Sequence, residues 1–252
     1  ITLARMRMDS AELELSVVVP VYNEQDNVVP LVEEIVAALE PSGRHYEIVY
    51  VDDASRDDTL KVLRELMTRQ PRLRVVRHLQ QAGQSTAVRS GARHAQGRWI
   101  ATLDGDGQND PADIPKLLAE RDRAAPSVKL YAGWRTERRD DWLKRVSSKI
   151  ANRVRAGLLK DATPDTGCGI KLIERALFLE LPYFSHMHRF LPALVRRAGY
   201  GVQSVPVRHR PRTRGSSKYG LWNRLWVGIV DLFGVAWLQR RARLTETTEE
   251  RR

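Results

Sequence analysis

A single cysteine, Cys168, stands among the 252 residues of this chain. One thiol excludes an internal disulfide and a cysteine-based zinc site, and it fits a reducing compartment. Neither a glycine-rich dinucleotide fingerprint nor a Walker loop occurs, which disfavours hydride transfer and P-loop nucleotide hydrolysis. The most apolar stretch, Leu221–Leu238, is broken by Asn223, Arg224 and Asp231, and its uncharged runs fall short of the about 20 residues that cross a bilayer. Ile1–Glu14 has no apolar core of the kind a signal peptide needs. The chain opens on Ile rather than Met, so the start is expected upstream or at Met6 or Met8. Internal repeats and low-complexity segments are absent. Acid is missing locally as well: Leu181–Val230 holds nine Lys/Arg and no Asp or Glu.

What the chain does hold is 42% hydrophobic residues and a formal net charge of +11. That length and apolar content allow one α/β domain of the larger kind with a full core. The acidic residues lie mainly in the first two thirds and the excess base in the last. The asymmetry points to an anionic partner, with phospholipid, lipid phosphate and nucleic acid as the choices.

Apolar runs and helical spacings alternate along the first half. Strands are expected at Leu15–Val21, Tyr46–Val51, Leu73–Leu79 and Arg98–Leu103, and helices at Asp26–Leu39, Asp58–Arg69, Ser85–Ala95 and Pro111–Arg121. Four such alternations argue a mostly parallel sheet with helices on both faces. The polar groups Asn23-Glu24, Asp52-Asp53, Gln81-Gly83-Gln84 and Asp104-Asp106 then gather at the strand C-termini, where open α/β sheets bind ligands. After Gly133 the pattern loosens: a helix at Asp141–Leu159, a turn-rich loop at Thr163–Gly169, a helix at Met187–Arg197, a strand at Gly201–Val207 and a basic loop at Arg208–Tyr219. Leu221–Leu238, with Trp222, Trp226 and Trp237 and with Arg240-Arg241 behind it, reads either as a helix lying in a membrane interface or as a buried core or dimer helix.

The most informative segment is Asp104-Gly-Asp106-Gly-Gln108 at the end of an apolar strand. Alternation points both carboxylates the same way, and two adjacent anions want a cation. Hard oxygen ligands suit Mg²⁺ or Mn²⁺, with a diphosphate as the usual companion. The plain alternative is a polar turn.

Taken together, Val19-Pro-Val-Tyr-Asn-Glu24, Val51-Asp-Asp-Ala-Ser-Arg-Asp-Asp-Thr59 and Asp104-Gly-Asp-Gly-Gln108 resemble the motifs of the family-2 glycosyltransferases, within them the dolichol-phosphate mannosyltransferase-like branch that acts on polyprenyl phosphates. The resemblance runs from Leu15 to Arg241. It implies a GT-A type, Rossmann-like fold with a C-terminal membrane-associated helix. It divides the chain into an extension (1–13), a catalytic domain (14–210), a basic acceptor loop with an interfacial helix (211–241) and a solvated tail (242–252). It assigns Pro20, Tyr22, Glu24, Asp52 and Gln84 to the nucleotide sugar, together with Asp104, and gives Asp104, Asp106 and Gln108 to the metal. Gly133-Trp-Arg135, Lys144 with Ser148 one turn on, and the loop carrying Arg210, Arg214 and Lys218 stand where the branch holds the acceptor phosphate. Asp165 belongs to the loop below the sugar, where it either orients hydroxyls or caps a turn. Tyr22 has packing as its alternative role, Gln84 and Arg89 a solvated helix start, Asp57-Asp58 helix capping. His186 and His188, lacking a third ligand, read as structural.

The implied chemistry is one inverting displacement at the sugar's anomeric carbon, catalysed through Asp104, Asp106, Arg135 and Asp165. The nucleophile is a phosphate oxygen. A phosphate monoester, with a second pKa of about 6, is already anionic and needs no strong base. The donor is of the GDP-mannose or UDP-glucose type, mannose being the branch's default. The enzyme is expected as a peripheral protein on the cytoplasmic face of the membrane, without nucleic acid. Two rivals remain: a family member that glycosylates a sugar hydroxyl and needs a carboxylate base, and a non-catalytic basic protein that binds membrane or nucleic acid and is indifferent to Asp106→Asn.

Overall fold

A computed structural model describes residues 13–136, 157–159, 161, 163–208, 210, 221–242 and 245. Chain order runs β1 (Leu15–Val21), α1 (Gln25–Leu39), β2 (Tyr46–Asp52), α2 (Thr59–Met67), β3 (Leu73–Arg77), α3 (Gln84–His94), β4 (Trp99–Thr102), α4 (Ile114–Arg123) and β5 (Val128–Arg135). Then follow β6 (Lys171–Glu174), α5 (Arg175–Glu180), α6 (Leu191–Arg197), β7 (Gly201–Val207) and α7 (Leu221–Arg240). The strands make one seven-stranded sheet in the order β3-β2-β1-β4-β6-β5-β7. β1, β2, β3 and β4 run parallel, β6 runs antiparallel to both β4 and β5, and β7 returns parallel to β5.

The sheet has a core on each face because its strands alternate. Leu15, Val17, Val19 and Val21 meet the apolar stripes of α1, α2 and α4, whereas Val18, Val49, Val51 and Ile100 meet α3, α5, α6 and the end of α7. Ser16 breaks the apolar run of β1 without cost, since its hydroxyl donates to Glu47 Oε1 at 2.7 Å and accepts from the Gly97 amide at 2.9 Å.

Two strands, β5 and β6, are not foreshadowed by the sequence pattern. β6 is four residues with a charge at each end, and its pairing is decided by the strands on either side. The expected helix at Met187–Arg197 is a 3-10 turn at Met187–Arg189 followed by α6, and Pro111–Asp113 is likewise a 3-10 turn ahead of α4. The third strand does not run on to Leu79 as expected: β3 stops at Arg77, where His78 turns to Asp53. Of the helix expected at Asp141–Leu159, only 157–159 fall among the described residues, and they are helical. Lys144, Ser148, Arg214 and Lys218 lie outside them.

The C-terminal segment is a helix, and among the described residues no helix is long and apolar enough to cross a membrane. Val235 and Ala236 of α7 pack into the second core beside Leu194. Arg197 Nε donates to the Leu238 carbonyl at 2.9 Å and Gln239 Nε2 to that of Leu159 at 2.9 Å. Val230, Phe233 and Trp237, at i, i+3 and i+7, stay outside at 66%, 64% and 59% exposure.

Candidate active site

The C-terminal edge of the parallel strands is stitched by short hydrogen bonds. Asn23 sits in the left-handed region (φ 52°), which an asparagine tolerates. Its amide donates to Ser55 Oγ at 2.9 Å, and its Oδ1 accepts from the Arg56 amide at 2.7 Å. The Glu24 amide donates to Thr59 Oγ1 at 2.9 Å, and Asp57 Oδ1 accepts from the Thr59 amide at 3.0 Å in a turn ahead of α2, whose N-cap Asp58 makes no side-chain cap bond. These bonds tie the loop after β1 to the start of α2, with Pro20, Tyr22 and Glu24 on one side and Asp52 on the other. Asp52 is 1% exposed: Oδ1 accepts from the Ser55 amide at 3.2 Å, and Oδ2 is buried without a partner among the described residues. An orphaned carboxylate oxygen in a ligand cleft is an acceptor waiting for donors. Its neighbour Asp53, for which the sequence suggests no role, organises the next loop. It holds His78 Nδ1 at 2.7 Å and accepts from the amides of Ala82 and Gly83, each at 2.8 Å.

The turn after β4 is held from within. The Asp104 amide donates to Asn109 Oδ1 at 3.1 Å, the Gln108 amide to Asp106 Oδ1 at 3.1 Å and the Ala112 amide to Asp110 Oδ1 at 3.0 Å. Gly107, at φ 72°, supplies the left-handed step that lets the turn reverse. Asp104 Oδ1 accepts from Gln84 Nε2 at 2.6 Å, so Gln84 does reach the acidic pair. Burial, reinforced by the charge of Asp106, pushes the Asp104 carboxyl up to about 6, against the pull of Lys171, Arg135 and the Gln84 bond. Gly169 closes over it from β6's approach: a Cβ there would lie 2.2 Å from Asp104 Oδ2.

Opposite stands a wall of side-chain pairs. Arg135, at the end of β5, donates through Nε to Asp165 Oδ2 at 2.6 Å and through Nη2 to Oδ1 at 2.9 Å. The Gly167 amide adds a bond to Asp165 Oδ1 at 3.2 Å, so Asp165 is both a turn cap and a salt-bridge partner. Lys171, absent from the sequence-based candidates, is 3% exposed and donates to the Cys168 carbonyl. Its signal was a lone lysine between Ile170 and Leu172 at the head of an apolar strand. A small cavity beside Asp104 is lined by Pro20, Gln84, Lys171, His188 and Leu191 among others.

Two candidates, Arg89 and Arg210, are placed elsewhere. Arg89 turns from the site and stacks its guanidinium over Tyr183, 4.9 Å from the ring centroid. Arg210, expected at the acceptor phosphate, bonds Glu34 Oε2 and Asp110 Oδ1 at 2.7 Å each while its amide donates to the Gln108 carbonyl at 3.0 Å. Its guanidinium and its amide both meet the acidic turn. His186 and His188 do not converge: His188 Nδ1 meets Ser85 Oγ at 2.7 Å, and His186 Nδ1 stands 3.3 Å from Asp231 Oδ2.

Among the described residues no cluster of three or more His, Cys, Asp or Glu side chains forms a metal cage. The donor set nonetheless fits a hard divalent cation: two carboxylates one residue apart, Asp104 being raised by burial and then by the charge of Asp106, with an amide two residues on.

Comparison with known proteins gives the wider context. The model of the family described as Glycosyl transferase family 2 matches residues 16–181. Dodecaprenyl-phosphate galacturonate synthase of Rhizobium johnstonii is 37% identical over 232 residues, covering 90% of this chain and 68% of that protein. Undecaprenyl-phosphate 4-deoxy-4-formamido-L-arabinose transferase of Edwardsiella ictaluri is 35% identical over 209 residues, covering 82% and 63%. The chain thus spans about two thirds of the length of these relatives. Among solved structures, the mannosyltransferase PcManGT from Pyrobaculum calidifontis in complex with GDP-Man and Mn2+ superposes with a TM-score of 0.66 at 23% identity, over 89% of this chain and 64% of that one. Glucosyl-3-phosphoglycerate synthase from Mycobacterium tuberculosis with Mn2+ and UDP superposes at 0.66 and 17% identity, over 91% and 80%. Both establish the shared fold.

Proposed function

The chain belongs to glycosyl transferase family 2, and on that premise we propose that it transfers a sugar from a nucleoside diphosphate sugar to a polyprenyl phosphate. The observation that supports this best is the facing of two charge systems across one sheet edge. The Asp104–Asp106 turn follows β4, and the Arg135–Asp165 pair, its carboxylate buried and its guanidinium partly exposed, stands at the end of β5. The relatives' names carry the same acceptor class.

In this reading an oxygen of the lipid phosphate attacks the anomeric carbon. The new C–O bond forms as the bond to the diphosphate breaks, and the nucleoside diphosphate leaves with the electron pair. Inversion at the anomeric carbon follows. Asp104, Asp106 and Gln108 would hold a divalent cation, which when bound neutralises charge on the departing diphosphate. Asp52 and the stitched loop carrying Pro20, Tyr22 and Glu24 seat the nucleoside, and Gln84 fixes the Asp104 carboxylate. Arg135 offers positive charge to the incoming phosphate from a position fixed by Asp165, with Lys144, Ser148, Arg214 and Lys218 assigned to the same phosphate. Arg210 contributes through its pairs with Glu34 and Asp110 beside the acidic turn. Because the nucleophile is already ionised, the wall steers an anion and abstracts no proton.

The exposed Val230, Phe233 and Trp237 face of α7, followed by Arg240 and Arg241, lies against the lipid surface from which the acceptor is drawn. Nucleotide sugars put that surface on the cytoplasmic side. The family branch favours mannose, glucose being open, and the relatives' names add galacturonate and an amino sugar.

The test incubates purified protein with Mg²⁺ or Mn²⁺, undecaprenyl phosphate and a panel of labelled nucleotide sugars. Label entering the organic phase, abolished by EDTA and by Asp106→Asn, is the expected result. Nucleotide release without lipid labelling, or product that keeps the donor's anomeric configuration, overturns the reading.

A further inference from the structure

Two cations stand near the acidic turn, and they are held differently. Arg135 is closed by Asp165 through two bonds. Lys171, 3% exposed, donates to the Cys168 carbonyl and forms no ion pair among the described residues. Strand pairing fixes its place. Lys171 opens β6 directly across from Thr102, just ahead of Asp104, and Thr102 Oγ1 donates to the Gly169 carbonyl at 2.7 Å. Gly169 comes so near that a Cβ there would lie 2.2 Å from Asp104 Oδ2. Lys171, Gly169 and Asp104 thus line one cavity, which has room for about one water molecule.

A buried ammonium is costly unless an anion answers it. No ligand fits a space of that size, so the anion comes from the lining, where Asp104 is the one carboxylate. His188, the other titratable group on the lining, is neutral: burial, with Lys171 beside it, holds its imidazole well below the ordinary range. Burial draws the proton affinity of Lys171 down as well, against the opposing pull of Cys168, Asp104 and Asp165. One charge of the acidic pair is therefore already answered from within the protein. A divalent cation brought to Asp104 and Asp106 adds to the positive charge on that carboxylate, and like charges in a site of low dielectric repel strongly. A diphosphate arriving with the cation supplies the anions that offset the excess.

We propose that Lys171 is the resident counter-charge of Asp104 and makes divalent-cation binding depend on the diphosphate: the ammonium disfavours the cation alone and accepts the cation and diphosphate together. The inference rests on the metal assignment in the transfer reading above. Lys171 is a positioning residue that acts through Asp104, and the bonds made and broken at the anomeric carbon are unchanged.

The experiment measures binding to the full chain at about pH 8, above the value to which Asp104 is raised, so that protons do not compete with the metal. Mn²⁺ binding without nucleotide is followed by the electron spin resonance of the free ion. Binding of UDP and of GDP, with and without Mn²⁺, is followed by calorimetry. Wild type is expected to bind one nucleoside diphosphate roughly 10–100-fold more tightly with Mn²⁺ than without, and by linkage the metal gains the same factor. Lys171→Met and Lys171→Gln, both neutral, should tighten Mn²⁺ binding to the nucleotide-free protein by about 10-fold or more and weaken metal-free nucleotide binding. Lys171→Arg should keep the wild-type values. Shifts of opposite sign are not what a damaged fold produces, since damage weakens both. A neutral variant whose nucleotide-free Mn²⁺ affinity is unchanged or lower overturns the proposal. So does wild type binding nucleotide equally with and without Mn²⁺, a result read without any variant. If the opposite shifts appear but no lipid is labelled, the inference stands and the acceptor reading falls. If lipid is labelled and the shifts are absent, the inference alone falls.

Discussion

On one wall of the site the carboxylates close largely on backbone amides; on the other Asp165 closes on a cation. Asp53 gathers the Ala82 and Gly83 amides besides His78, Asp110 takes that of Ala112 besides Arg210, and Asp106 takes that of Gln108. Across the cleft Asp165 takes two bonds from Arg135, and Lys171 donates to the Cys168 carbonyl and forms no ion pair among the described residues. Backbone-capped acids fix the shape of a loop and are indifferent to what binds. Acids and bases paired side chain to side chain set the charge a ligand meets. The first wall is thus suited to what all donors share, the nucleotide and its diphosphate. The second is suited to the charge that a cation and an incoming phosphate bring.

The strongest way to break the comparison is at the acidic pair. Asp106→Asn should lower turnover by about 10³-fold or more while leaving the melting temperature near wild type, since charge stabilisation of the leaving group is lost and packing is not. A variant that keeps its turnover in the lipid-labelling assay would remove the enzyme reading altogether.

Next in size is the paired wall. Arg135→Ala removes the guanidinium that neutralises Asp165, whose side chain is 3% exposed, and should cost about 3–5 kcal/mol in denaturant unfolding. The double variant Arg135→Met with Asp165→Leu should be less destabilised than Arg135→Ala alone, because no buried carboxylate remains to be neutralised. Additive losses would show that the pair is not acting as one unit. On the backbone-capped wall, Asp53→Asn should cost less, about 1–3 kcal/mol, because two amides and His78 lose only part of their acceptor.

A pH comparison sharpens the contrast. With Asp104 raised to about 6 in the folded state, the native protein binds a proton more tightly than the unfolded chain does. Its contribution to stability is therefore greatest below the unfolded value and falls as pH rises through about 6. In EDTA, wild type should lose on the order of 1 kcal/mol relative to Asp104→Asn between pH 4.5 and 7, the site being partly exposed. A difference independent of pH would show that Asp106 and burial do not act on this carboxyl as described.

The smallest effect on stability is expected on α7. Phe233→Ser with Trp237→Ser should change unfolding by about 0.5 kcal/mol or less, both residues being exposed, yet reduce sedimentation with anionic vesicles. Undiminished vesicle binding would place the membrane contact on another surface.

How much of this is legible in the sequence follows the same division. Asp104-Gly-Asp-Gly-Gln108 announces itself because its chemistry and its turn are both local: a strand end, two glycines and acids one residue apart. Gln84 has a solvated helix start as its alternative reading, and the bond to Asp104 decides between them. Asp53 stands beside Asp52 without a visible role, since its partners come from a loop 25–30 residues on. Arg210 carries the right charge for a phosphate, but Glu34 lies 176 positions away and no spacing rule reaches that far.

The sequence by itself determined the alternating βα frame, the edge at which ligands gather and the acidic turn there, because hydrophobic period and turn chemistry act over a few neighbouring residues. Tertiary structure alone decided that β6 enters antiparallel between β4 and β5, which sets Lys171 beside Asp104 and leaves its ammonium facing a cavity. Strand pairing is settled among distant segments, and the electrostatics of a buried site exist only once burial has removed the water that would have screened them.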